Sequence, residues 1–292
     1  MLPEELIHRV RHIEITTRKM VDDLMGGSYR SNFKGSGVSF SEHRQYVAGD
    51  DVRHIDWKVS ARSREPLIKR YEEERELTVF LVVDVSGSGE FGTGSKLKSE
   101  VAAEIGGMLA YAAAHAGDKV GVLLFSGKVE KIIPPKRGRQ HILRIIRDIL
   151  SFKPKSQGTA LRGALEATHR IMKHTGVVFV ISDFLADGYD VALRRLARKH
   201  DVIAISIGDE RETEIPNVGQ ILLADPESGE ERLVDTGSYQ FKKWMKDFQT
   251  AHETDTQSAF RSGKVELLQV KTKDDYGAAV VRFFGARARR RR

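Results

Sequence analysis

The chain has no cysteine among its 292 residues. That excludes disulfides, thiolate zinc sites and a cysteine nucleophile. It also suits a reducing compartment. Long apolar runs are missing as well. The longest, VFLVVDV, is interrupted by Asp84 and falls far short of the ~20 residues a membrane helix needs. The opening MLPEELIHRVRHIE is charged from residue 4 and carries no signal-peptide apolar stretch. A cytoplasmic protein is the expectation. Zinc-finger spacings and RNP-like aromatic strands are absent too, so nucleic acid is not favoured as a partner despite a net charge of +7.

What is present divides into three parts. Residues 4–25 place Leu6, Val10, Ile13 and Leu24 at helical spacing and stop at Gly26-Gly27. His8 and His12 are four apart on that helix, but no third ligand is near, so they read as solvated. Residues 28–75 are polar, glycine-punctuated and rich in both charges. Phe33, Phe40, Tyr46 and Trp57 are candidates to pin this module to a core. The resulting division is an N-terminal helix and module over 1–75, an α/β domain over 76–285, and a basic, disordered tail over 286–292 ending in RARRRR.

From residue 77 the pattern is regular. LTVFLVVDV reads as a strand buried on both faces. KLKSEVAAEIGGMLAYAAAHAG reads as a helix, with Ser95 as its N-cap and Gly117 as its stop. DKVGVLLFSG, VVFVISDF, DVIAISIGD and KVELLQVKT are further strands, separated by helices; KVEKIIPP forms a hairpin with the first of them. Alternation of this kind predicts a mostly parallel sheet with helices on both faces. Ligands bind such sheets at the carboxyl ends of strands. Two strand ends carry aspartate, Asp84 and Asp183, and the loop before helix 159–173 carries Thr159.

The loop after Asp84, SGSGEFGTGSK, allows three chemistries. Gly87-x-Gly89-x-x-Gly92 matches a dinucleotide fingerprint, but the helix starts too late and the second strand lacks the acidic residue. Gly89 and Gly94 have phosphate-loop spacing, but Ser95-Lys96 reverses the required order. A serine elbow needs G-x-S-x-G, and the residues two either side of Ser88 are Ser86 and Glu90. The third chemistry is a metal site. Asp84-x-Ser86-x-Ser88 puts a carboxylate and two hydroxyls on alternate residues, so they face one point in extended backbone. These are hard oxygen ligands, suited to Mg²⁺, with Mn²⁺ or Ca²⁺ as alternatives. Few charges in the set touch the ion, so it stays electrophilic and attracts an outside carboxylate. The competing reading is a metal-assisted phosphohydrolase or nucleotide-binding protein using the same loop.

DVSGS, Thr159 in QGTAL and Asp183 in ISDF together resemble the metal-ion-dependent adhesion site of von Willebrand factor A-type domains. The resemblance implies direct coordination by Ser86 and Ser88. It implies coordination by Thr159 directly or through water, and by Asp84 and Asp183 mostly through water. It also implies that an acidic residue of a partner fills the last position, which is a binding role and not an enzymatic one. Upstream, Gly35-x-Gly37-x-x-Phe40, Arg44-x-Tyr46-x-x-Gly49-Asp50-Asp51-x-Arg53-x-Ile55-Asp56-Trp57 and Ser60-Ala61-Arg62 resemble the signature of the bacterial domain-of-unknown-function fifty-eight family. That family implies a MoxR-type AAA+ ATPase as partner, in assembly or maturation of a protein complex. Read on its own chemistry, Gly49-Asp50-Asp51 is a turn. Arg44, Arg53, Asp50, Asp51 and Asp56 are candidates for a buried or semi-buried ion network bracing the module against the sheet, or for a partner-facing surface.

Overall fold

A computed structural model describes residues 39–47, 49–63, 65–72, 77–94, 96–213, 215–224 and 230–290. The expected helix over 4–25, with His8 and His12, lies outside the described residues, as do Phe33 and the side chain of Phe40. Contacts divide the described chain into two compact units, one within Lys34–Leu77 and one from Thr78 onward.

In the first unit, β1 (Ser39–Gln45) pairs antiparallel with β2 (Leu67–Glu72), and helix α1 (Trp57–Ser63) lies between them in sequence. Gly49 takes a positive φ of 111° in the expected turn, where Asp50 N–H donates to Val47 O. Among the described residues the acidic and basic side chains pair locally. Arg44 grips Asp50 through two bonds of 2.7 Å, and Arg53 pairs with its near neighbour Asp51 on the surface. Asp56 meets His43 and caps the first turn of α1 at Lys58 N and Val59 N. Short sequence separations let each charge find a local partner, which is less costly than burying all five. Trp57 is 67% exposed and is not pinned to a core; among the described residues Ile55, Ile68 and Ser60 are the buried side chains here.

The second unit holds β3 (Thr78–Asp84), α2 (Lys98–His115), β4 (Lys119–Phe125), β5 (Val129–Lys136), α3 (Arg139–Ser151), α4 (Leu161–Ile171), β6 (Val177–Ser182), α5 (Asp190–Ala197), β7 (Asp201–Gly208), the single turn α6 (Glu210–Thr213), the hairpin β8 (Gln220–Ala224) and β9 (Glu231–Asp235), α7 (Tyr239–Gly263), β10 (Glu266–Lys271) and α8 (Tyr276–Arg290). The main sheet runs β10-β7-β6-β3-β4-β5. All neighbours are parallel except β4 and β5, which form the expected hairpin. Pro134 and Pro135 lie in β5, an edge strand, where a missing N–H costs little.

Alternation along β3 serves both faces. Phe80 and Val82 enter a core with α4, α5 and the end of α7. On the other face Leu81, Ile149 of α3 and Ile181 close over Gly106 of α2, where any Cβ would stand 3.4–3.8 Å from all three. The fold is thus the mostly parallel α/β sheet with helices on both faces expected from the strand pattern.

Two local expectations change. Helix α2 begins at Lys98 with Leu97 as N-cap, not at Ser95, because Glu100 reaches back to accept from Leu97 N–H at 3.0 Å. The basic tail is also no separate disordered segment. Helix α8 continues through it to Arg290, and Arg287 is only 4% exposed. Its guanidinium pairs with Asp201 and, at 3.0 Å, with Glu266, the first residues of β7 and β10. The spacing Val280, Phe284, Arg287 puts this arginine on the buried face of the helix.

Candidate metal centre

Asp84 ends the central strand β3, and β6, beside it, delivers Ser182 and then Asp183. After Asp84 the chain makes a 3-10 turn over Gly87–Glu90, returning Ser88 toward the strand ends. Asp84 Oδ1 accepts from Ser86 N–H at 2.9 Å, and its Oδ2 accepts from Ser182 Oγ at 2.7 Å. Ser86 Oγ and Ser88 Oγ lie 3.1 Å apart, and Ser88 Oγ donates to Asp183 Oδ2 at 2.9 Å. Ser86 is 4% exposed. These four predicted residues line one small cavity of about 20 Å³.

The fifth, Thr159, is not among the residues lining that cavity. It rides on the loop before α4, and the next residue, Ala160, donates to Ser126 O just past β4. This loop crosses Gly127 so closely that a Cβ there would stand 1.9 Å from Gln157 O. Glu130 holds the same loop by accepting from Lys155 N and Ser156 N at 3.0 Å. Thr159 is therefore carried at the end of the strand beside β3.

Backbone strain marks the turn at Asp183. Phe184 has a φ of 61°, a costly conformation for a bulky residue. Its ring is fully buried against Phe260, 5.0 Å between centroids, and that packing holds the turn. Leu185 N–H donates to Asp183 Oδ1, and Phe184 N–H donates to Ser182 Oγ.

Sequence reasoning did not find Lys98. It is the first residue of α2, 4% exposed, and lines the same cavity. Its Nζ donates to Asp183 Oδ2 at 2.8 Å and to Glu212 Oε1 at 2.7 Å. In KLKSE it looks like one more solvated charge, and only the fold brings it to a carboxylate 85 residues away.

The electrostatics follow. Burial, then the charge of Asp183, pushes the Asp84 carboxyl up to about 6, against the hydrogen bond from Ser182. Burial works on Asp183 in the same sense, but the Lys98 ammonium outweighs it and holds that carboxyl below its ordinary value. Lys98 is raised, because Asp183 and Glu212 together overcome its desolvation. Nearby Asp209 is buried yet held well below the usual carboxylate range, by hydrogen bonds from Thr272 and Thr93. Thr93 Oγ1 donates to Asp209 at 2.6 Å and Thr93 N–H at 3.1 Å, which ties the glycine-rich loop to the end of β7.

The donor set fits a small hard cation. Bonds of about 2.1 Å in octahedral geometry put neighbouring oxygens about 3.0 Å apart, and the hydroxyl oxygens of Ser86 and Ser88 are spaced 3.1 Å. The cavity has room for about one water-sized body, not a phosphate group. No histidine lines it, and Lys96 of the imperfect phosphate loop is engaged by Glu104 at 2.8 Å and by the Tyr276 hydroxyl at 2.6 Å. Gly92 serves the loop itself, since a Cβ there would stand 2.5 Å from Lys96 O. Among the described residues no group of three or more histidine, aspartate or glutamate side chains is placed to hold a metal ion.

Several known proteins are similar to this chain. An uncharacterised protein of Mycobacterium tuberculosis is 32% identical over 98% of this chain and 90% of its own. The Bacillus subtilis protein YeaD is 28% identical over 44% of this chain and 30% of its own. Among solved structures, an aerotolerance-related membrane protein from Bacteroides fragilis is 17% identical, covering 73% of this chain and 99% of that one at a TM-score of 0.53. That likeness shows the fold alone. Among the described residues no helix is long and apolar enough to cross a membrane. The family described as "Protein of unknown function DUF58" matches residues 42–256, most of both units, and the chain belongs to that family.

Proposed function

We propose that the protein is a Mg²⁺-dependent protein-interaction module. The observation that carries this reading is the one-ion cavity lined by Asp84, Ser86, Ser88 and Asp183 at the carboxyl end of the sheet. Mg²⁺ held there, with Mn²⁺ or Ca²⁺ as substitutes, offers a Lewis-acidic position to a carboxylate of a partner. The loops around it present apolar surface, with Phe91 38% and Leu185 41% exposed. A cavity of about 350 Å³ opens alongside, sharing Asp183 with the site and walled by Leu185, Phe248 and Leu267. Such a groove suits a peptide segment whose acidic side chain reaches the ion. The family resemblance supports a MoxR-type AAA+ ATPase as that partner, in assembly or maturation of a protein complex. The lack of cysteine supports a cytoplasmic setting.

The test is capture of the ATPase on immobilised protein with Mg²⁺, with EDTA, and with Ser86→Ala/Ser88→Ala. Capture is expected only in the first case. Binding indifferent to chelator and to both serines refutes the proposal.

A further inference from the structure

Asp183 and Glu212 do not wait for a cation from solution. They already share one, the ammonium of Lys98, at 2.8 and 2.7 Å. The Asp183 oxygen that binds Lys98 also accepts from Ser88 Oγ. Nothing local calls for a lysine at this place. It is the first residue of a helix, where the macrodipole disfavours positive charge, and it is buried, where a lone cation is costly. The two carboxylates alone offset those costs.

Glu212 is fixed independently of Lys98. Its Oε2 accepts from Asp209 N–H at 2.8 Å, and its carbonyl accepts from Gln249 Nε2 at 3.1 Å. It therefore stays in place as a partner for Lys98 when Asp183 is engaged elsewhere.

We infer that Lys98 is a built-in competitor of the divalent ion. Metal entry shifts its ammonium from Asp183 onto Glu212 alone, and the resting site binds metal weakly for that reason. This inference rests on the metal reading above. It adds that the weakness is intrinsic to the chain and that Glu212 sets its size. A partner that supplies a carboxylate to the ion or to Lys98 tips the balance.

The test is metal affinity, not partner binding. Mn²⁺ binding to the full chain is followed by electron paramagnetic resonance, and Mg²⁺ by its competition with Mn²⁺. Lys98→Met removes the competitor, and affinity is expected to rise about tenfold or more as like-charge repulsion is lost. Lys98→Arg keeps the charge and stays within about threefold of wild type. Glu212→Gln removes the second anion and weakens binding several-fold in wild type, but not in the Lys98→Met background, a non-additivity that marks coupling. Lys98→Met no tighter than wild type, or Glu212→Gln acting alike in both backgrounds, overturns the inference. If Lys98→Met does not fold, Lys98→Gln takes its place under the same criteria. Wild-type binding lost in Ser86→Ala/Ser88→Ala but indifferent to Lys98 keeps the metal reading and rejects the competitor. Absence of binding in every variant rejects both.

Discussion

Asp84 and Asp183 are neighbouring carboxylates with opposite tendencies, and the difference is one lysine. Asp183 has Lys98 and is held low; Asp84 has only hydroxyl and amide donors and sits near 6. Because its folded value exceeds the unfolded one, the native state binds the Asp84 proton more tightly. Its contribution favours folding at low pH and is lost as pH rises from about 4 through 6. Asp183 has the reverse sign, stabilising above its unfolded value and losing that stabilisation as pH falls through its lowered one. For a carboxyl as buried as Asp84, the rise to about 6 corresponds to on the order of 3 kcal/mol. Asp84→Asn should therefore raise the melting temperature of the metal-free protein at pH 8, with a gain that shrinks toward pH 4. A gain independent of pH would contradict this origin. If the ion binds beside Asp84 as proposed, wild-type Mn²⁺ affinity should fall below pH 6, where protonation removes that charge.

The same residues show what can be read from letters. Asp84, Ser86 and Ser88 stand out by their spacing at the end of an apolar run, and Asp183 by ending another. Lys98 has no such mark, since helix starts and surfaces are full of lysines and its meaning depends on a partner fixed only by the fold.

Among the elements, the buried strands were legible because both-face burial writes continuous β-branched runs, as in β3 and β6. The end of α8 was not. RARRRR has the composition of a solvated end, and composition overrides spacing when a run is charged. The informative pattern was the step from Val280 and Phe284 to Arg287, which keeps one arginine on the core side. Arg287→Ala should lower stability by about 2–3 kcal/mol, less than breaking a fully buried pair because Asp201 and Glu266 keep some solvent. Arg289→Ala, at an exposed position nearby, should change it by less than about 0.5 kcal/mol. Urea denaturation of both separates the readings; equal effects would return the segment to the status of a tail.

For the whole molecule, alternation of strands and helices identified a layered parallel sheet, but the order β10-β7-β6-β3-β4-β5 is set by long-range packing that local patterns do not carry. That order places β3 and β6 side by side and so brings Asp84 to Asp183 across 99 positions. A ligand bound only by the folded chain stabilises all of it by mass action. Mg²⁺ should raise the melting temperature of wild type with increasing concentration and leave Ser86→Ala/Ser88→Ala unchanged. Equal shifts in both would place the ion elsewhere.

The central position of β3 also has a consequence in time. Its partner β6 begins 98 residues later, at Val177 opposite Val79. At roughly 5–20 residues per second of synthesis, the chain waits about 5–20 s between the two. Through that interval β4 can pair with one side of β3, while the other side of VFLVV stays an open apolar strand edge, the feature most prone to pairing with a foreign chain. The strand that supplies the first aspartate of the site is thus also the segment of the nascent protein most in need of shelter.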